Sequence, residues 1–164
     1  MAHLEAAQRA ALRAAERAAA KAAERERNSV GPGPMPSKLH PNLPGDRRAV
    51  EIAERNLGAP YVWGGASPKQ GFDSSGLVTY VYGKLGVSLP HYVVSQYHYR
   101  NSVYVRRSQL KPGDLVFFDG LGHVGIYIGS NEFIHSPHTG TVVRIESLTG
   151  AYSKHYDGAT RILS

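Results

Sequence analysis

Gly71-Phe72-Asp73-Ser74-Ser75-Gly76-Leu77-Val78 is the stretch from which the fold of this chain can be read. Small residues and one acid lead into an apolar run, Leu77, Val78, Val81, Tyr82 and Leu85. The i, i+1, i+4, i+5, i+8 spacing predicts one buried face of a helix, with Gly86 as its stop. Asp73 or Ser74 then stands at the helix amino end. Unpaired N–H groups and the positive end of the dipole favour an anion or a thiolate there. Two readings stay open: either side chain can simply cap the helix, or the position carries a reactive group.

Working outward toward the C-terminus, Pro90 opens a further helical segment whose apolar side is Tyr92, Val93, Val94 and Tyr97. Leu110-Lys111-Pro112-Gly113-Asp114 reads as a turn. The period then changes to two, predicting strands at 115–118, 123–128, 132–135, 141–145 and 160–163, with glycine-containing turns at 120–122, 129–131 and 139–140. Helices first and hairpin-linked strands second predict an α+β fold, N-terminal helices packed on a central antiparallel sheet.

Toward the N-terminus, Asp46 caps a predicted helix with the apolar face Ala49, Val50, Ile52, Ala53 and Leu57, ended by Gly58. Ala59-Pro60-Tyr61-Val62-Trp63-Gly64-Gly65 is strand-like and broken by its glycine pair. The pair either forms a turn or lets another backbone, or a substrate, approach beside Tyr61 and Trp63. Residues 28–45 are a Pro/Gly linker, able to span roughly 50 Å when extended. Residues 1–27 are Ala-rich, with i, i+4 pairs such as Glu5/Arg9 and only Leu4 and Leu12 as bulky apolar residues. That composition predicts a helix with almost nothing to bury: a coiled-coil remnant, or a pro-segment folded over the cleft of the domain at 46–164.

The chain has no cysteine, which excludes a disulfide framework and thiolate metal sites. Its net charge of +6 suits an anionic partner. The basic residues are dispersed and form no aromatic-interleaved stripe, so nucleic acid is not expected. No apolar run reaches transmembrane length, and Met1-Ala2-His3-Leu4 opens no signal peptide. An intracellular chain, or a piece of a longer one without its targeting segment, is the expectation.

His123 begins one predicted strand and His135 ends the next. With a three-residue loop at 129–131, Ile128 opposes Glu132, Gly125 opposes His135, and the two imidazoles become diagonal neighbours on one face. A two-residue loop would place them on opposite faces. Paired imidazoles can act as a general base and the group that orients it, or can be two polar residues on an outer face. His138 adds a third imidazole, but Pro137 breaks any helix and no carboxylate has helical ligand spacing; a His-ligated metal hydrolase is the lesser alternative, and no cofactor is expected.

Together, Tyr61-Val62-Trp63-Gly64-Gly65, Phe72-Asp73-Ser74-Ser75-Gly76-Leu77-Val78, Leu110 to Phe118, His123 to Gly129 and Phe133-Ile134-His135-Ser136 closely resemble the NlpC-like family of cell-wall peptidases, which are papain-like cysteine endopeptidases. The resemblance covers about 49–163. It implies a papain-like domain, secreted or in the cell wall in the parent protein, that cleaves peptidoglycan stem peptides, commonly between a D-γ-glutamyl residue and a diamino acid. By the same resemblance Ser74 occupies the nucleophile position, His123 is the base and His135 orients it. Tyr61 would place its hydroxyl near the reacting carbonyl, Trp63 is a further substrate-binding residue, and Asp73 and Ser75 would line the pocket for the substrate's amine end.

The chain departs from the pattern at Ser74, where the family has cysteine. A thiol ionises near pH 8.5, roughly, and a helix end plus an imidazole can bring it below neutrality. A hydroxyl cannot be stored as the anion and needs a base placed to take its proton during attack. Phe72 also stands where a Gly-x-Ser-x-Gly elbow would have glycine. Loss of the nucleophile costs on the order of a millionfold in turnover, so a binding-competent but nearly inactive domain is expected. Two origins remain open: a deliberate Cys-to-Ser replacement, or a natural pseudoenzyme that binds cell wall without cutting it.

Overall fold

The structure is a computed structural model and describes residues 45–163. The expectations for the Ala-rich segment, and for the linker as far as residue 44, lie outside the described residues.

Helix α1 (Arg47–Glu54) begins at Asp46, whose carboxylate accepts the Arg48 backbone N–H at 3.0 Å and an Arg48 guanidinium N–H at 2.9 Å. Its buried face is Ala49, Val50 and Ala53. Leu57, expected on that face, is 41% exposed, because the helix stops at Glu54 and the chain turns before reaching it. Helix α2 (Ser74–Lys84) follows the predicted pattern: Leu77, Val78, Val81 and Tyr82 are buried, and Gly86 takes a positive φ just beyond its end. Helix α3 is only Val93–Tyr97. Tyr92 caps it and is exposed, so it is not part of an apolar face. Polar bonds anchor α3 instead, since the buried Gln96 amide donates to the carbonyls of Ser75 (3.0 Å) and Pro90 (2.9 Å).

Two small strands, β1 (Ala66–Ser67) and β2 (Gly71–Phe72), form a hairpin in front of α2. The main sheet comprises β3 (Ser102–Val105), β4 (Leu115–Phe118), β5 (His123–Gly129), β6 (Glu132–His135), β7 (Arg144–Ser147) and β8 (Tyr156–Ile162). Its order is β3-β8-β4-β5-β6-β7, antiparallel throughout. The α+β expectation therefore stands, and three details change. Strand β3 had no counterpart among the predicted strands, and β8 begins four residues before the predicted one. The strand expected at 141–145 is displaced to β7 because Thr141 and Val143 bond elsewhere. Tyr61 N–H donates to Thr141 O at 2.9 Å, and Val143 N–H donates to Ala59 O at 2.8 Å.

Both faces of the sheet are covered, which explains why β4 reads as the unbroken apolar run Leu-Val-Phe-Phe. On one face Leu115, Phe117, Val124, Ile126 and Ile134 pack with Ala49, Ala53, Leu77, Val78 and Val81 from the helices. On the other, Val116, Phe118, Tyr127, Phe133, Leu148 and Ala159 form a second cluster joined by Tyr152 and Tyr156.

The β5–β6 hairpin corrects the predicted loop while keeping its consequence. Gly129 pairs with Glu132, so the loop is the two residues Ser130 and Asn131, both at positive φ as a type I′ turn requires. Ile126 nevertheless pairs with Ile134. A bulge at Ile128 absorbs the extra residue and restores the register that a three-residue loop would have produced.

Candidate active site

The amino end of α2 is built around Asp73. Its Oδ1 accepts the Gly76 N–H at 2.7 Å as an N-cap, and its Oδ2 accepts the Gly64 N–H at 2.9 Å from the turn after Trp63. His91 Nε2 lies 2.7 Å from Oδ1, and the Ser75 hydroxyl lies 3.4 Å from it. The hydrogen bond that His91 donates to the Asp73 carboxylate holds the His91 pKa above the usual imidazole range, although burial opposes it. One carboxylate thus ties the glycine turn, the helix and the loop after α2 together. The capping reading of Asp73 is realised in the structure. Ser75 is buried, with its hydroxyl toward the cap.

The motif glycines make this junction possible. Gly65 O and the α2 backbone approach so closely at Gly76 that a Cβ there would lie 1.8 Å from that oxygen. Gly64 has φ +75, a conformation few other residues adopt. Of the two roles considered for the glycine pair, the structure shows both: Gly64 makes the turn and Gly65 admits another backbone.

Ser74 is the first residue of α2 and is half-buried; among the described residues its hydroxyl makes no hydrogen bond. Tyr61, half-buried, bridges Phe72 in parallel fashion. Trp63 is half-buried in the turn preceding Gly65. The buried Ser136 hydroxyl donates to Phe72 O at 2.6 Å, joining the end of β6 to the chain entering α2. Ser136 follows His135 and Phe72 precedes Asp73 and Ser74, so this bond sets the two sequence motifs side by side.

On β5 and β6, the predicted histidine pair forms. His123 Nε2 lies 2.7 Å from His135 Nδ1, and both side chains are buried. They share the face of Tyr127 and Phe133, opposite Val124, Ile126 and Ile134, as the register requires. Aromatic rings surround them: Tyr152 stands edge-on to His135 at 5.1 Å and Phe118 lies 5.9 Å from His123. Burial pushes both imidazole pKa values below the usual range, and for His135 the neighbouring His123 adds to the effect. The pair is therefore neutral at pH 7, with one nitrogen of each ring committed to the other. His123 Nδ1 has no hydrogen-bond partner among the described residues and remains available to a proton.

Sequence reasoning missed His91, whose link to Asp73 spans eighteen residues and follows no helical or strand period. It also missed Ser136 as the tie to Phe72. Among the described residues, no group of three His, Cys, Asp or Glu side chains is placed to hold a metal ion.

The sequence model described as the NlpC/P60 family matches residues 58–161. The chain belongs to the NlpC/P60 family. A curated relative, murein DD-endopeptidase MepH of Escherichia coli (strain K12), is 45% identical over 129 residues, which is 72% of this chain and 48% of MepH. The chain thus spans about half the length of that relative. Among solved structures, the NlpC/p60 domain of peptidoglycan hydrolase SagA superposes with a TM-score of 0.63 at 34% identity, covering 71% of this chain and 97% of that one. RipA, a resuscitation promoting factor interacting protein, superposes with a TM-score of 0.62 at 28–29% identity, covering 72% of this chain and 62% of that one. Its structures carry mutations at a cysteine, at a histidine 49 residues later and at a glutamate 12 residues beyond that. These NlpC/P60 neighbours share the α+β, papain-like architecture described above.

Proposed function

We propose that this domain is a peptidoglycan endopeptidase of the cysteine type, in which residue 74 is the nucleophile position, His123 the base and His135 the group that orients it. The hydrogen bond between His123 Nε2 and His135 Nδ1 carries this reading, because it fixes one ring nitrogen and reserves the other for proton transfer. Residues 74, 123 and 135 are separated by the same 49 and 12 residues as the three mutated positions of RipA. The Ser136–Phe72 bond supports a meeting of the two motifs at one cleft.

With cysteine at position 74, His123 Nδ1 would take the thiol proton and the thiolate would attack the scissile carbonyl. The imidazolium would then give its proton to the leaving amine, and water would release the acyl group. Tyr61 and Trp63 border the entry to α2 and are assigned to the substrate's carbonyl side. Asp73 and Ser75 are assigned to its amine end through the cap they build. With serine at 74 no anion is stored, and burial lowers the basicity of the histidine pair, so His123 is a poor acceptor for a hydroxyl proton during attack. The chain binds stem peptides and turns them over negligibly. The parent protein acts in the cell wall, outside the cytoplasm.

The family resemblance points to the bond between a D-γ-glutamyl residue and a diamino acid. The name of MepH, a DD-endopeptidase, supports a second reading, a D,D bond. Purified sacculi incubated with the Ser74→Cys variant decide between them by mass spectrometry of the released muropeptides. We expect hydrolysis by Ser74→Cys that is insensitive to chelators and abolished by His123→Ala, and none by the Ser74 chain. A Ser74→Cys variant that binds sacculi without cutting them would overturn the endopeptidase reading and leave a binding module.

A further inference from the structure

His135 Nε2 is buried with no hydrogen-bond partner, although its ring is fully enclosed and its other nitrogen is bonded to His123. A buried polar atom left in this state calls for a physical account. The feature facing it is Glu146 on β7, whose Oε1 lies 3.8 Å away. The β6–β7 register explains the approach. His135 pairs with Arg144, so Glu146, two residues on, is the diagonal neighbour of His135 on the same face. His123 stands in the same diagonal relation on the other side, since Ile126 pairs with Ile134. Three adjacent strands therefore present a row of His123, His135 and Glu146.

The row has a direction. For His123 Nδ1 to accept a proton, His123 must carry its hydrogen on Nε2 and donate it to His135 Nδ1. His135 is then the Nε2–H tautomer, and that N–H points toward the Glu146 carboxylate. In the opposite arrangement His135 donates from Nδ1, His123 carries hydrogen on Nδ1 and cannot act as base, and a bare Nε2 lone pair faces the carboxylate. A carboxylate attracts an N–H dipole and repels a lone pair, so Glu146 favours the first arrangement. At 3.8 Å the effect is electrostatic rather than a formed hydrogen bond.

We propose that Glu146 is a positioning residue for the histidine pair, selecting the tautomers that make His123 a base at Nδ1 and supplying the negative charge for the imidazolium formed there. The inference rests on the proposed roles of His123 and His135. Other charges act on the row. Arg144 Nε holds the same Glu146 oxygen at 2.9 Å and opposes a positive charge on His135, as does His138. Asp119 favours a charge on His123, and the Tyr152 ring packs beside both imidazoles, 6.1 Å from His123 and 5.1 Å from His135.

Two measurements test this. In Ser74→Cys, Glu146→Gln should lower kcat/KM by roughly tenfold or more, the scale of removing one unit charge near a developing cation. It should also move the alkaline limb of the pH profile, where the imidazolium proton is lost, to lower pH. Glu146→Asp should restore part of that limb, and Arg144→Gln should move it the other way. Independently of activity, long-range nitrogen–proton NMR on the Ser74 chain should show both imidazoles protonated at Nε2, with Glu146→Gln eroding that preference at His135. Unchanged tautomers in Glu146→Gln, or a lower rate with the pH limb unmoved, would overturn the proposal. If Ser74→Cys proves inactive, the endopeptidase reading fails while the NMR arm still decides the role of Glu146.

Discussion

Gly76 stands against Gly65 so closely that the space for a Cβ on Gly76 is already filled by the Gly65 carbonyl oxygen and, at 2.8 Å, by Asp73 Oδ1. The junction between the glycine turn and the amino end of α2 is therefore a backbone-to-backbone contact that any side chain would force apart. Gly76→Ala is expected to destabilise the domain by about 1–3 kcal/mol, the range for overpacking a tight interior. It should also displace the Asp73 cap and so weaken substrate binding by the Ser74 chain. Urea unfolding together with sacculus pull-down checks both. A variant of unchanged stability and binding would show that the contact relaxes freely.

His91 and Asp73 link stability to pH on the alkaline side. The hydrogen bond to Asp73 raises the His91 pKa above its unfolded value of about 6.5. Its contribution is thus complete below pH 6.5 and disappears as pH rises through the native value. The pair is partly solvent-exposed, which limits the effect to about 1 kcal/mol or less. Unfolding midpoints between pH 6 and 8.5 should fall for the unaltered chain and stay flat, in this component, for His91→Ala.

The buried histidine pair has the opposite sign. Both native pKa values lie below the unfolded value, chiefly through burial. As pH drops below about 6.5 the unfolded chain takes up protons that the folded chain refuses, and stability decreases. Each histidine contributes a slope approaching about 1.4 kcal/mol per pH unit in this window. Comparing the slope of unfolding free energy between pH 6.5 and 5 for the Ser74 chain and His135→Gln checks the assignment, since the variant should have the shallower dependence.

Asp114 and Arg161 form a buried bidentate pair, with guanidinium N–H groups on Oδ1 at 2.7 Å and on Oδ2 at 2.8 Å, while Lys111 N–H donates to Oδ2 at 2.7 Å. This pair fastens the Lys-Pro-Gly-Asp turn to β8. Asp114→Ala leaves a guanidinium buried without its carboxylate and should cost about 3–5 kcal/mol. Replacing both residues with apolar ones of similar volume should cost much less, and thermal melts of the single and double variants distinguish the two outcomes.

The periodicity of the chain was enough to place α1, α2 and the β4–β5–β6 run, because a buried helix face and a two-sided sheet leave regular marks on adjacent residues. It also placed both histidines on one face, although the supporting loop was different: the sequence offers no sign that Ile128 bulges, and the bulge compensates for the shorter turn. Contacts between distant segments left no such mark. Thr141 to Val143 read as strand but is held by Ala59 and Tyr61, so that β7 starts later. His91, Ser136 and Glu146 each act across a gap in sequence that no local period spans.

What the sequence alone determined is the kind of domain and the short motifs it uses, since burial and turn chemistry act residue by residue along the chain. Only the tertiary structure decided that Asp73 is held by His91, that Ser136 ties β6 to the chain entering α2, and that a carboxylate on β7 faces the buried nitrogen of His135. Those relations follow from which donors and acceptors remain unsatisfied once the sheet and helices have packed, and that remainder exists only in three dimensions.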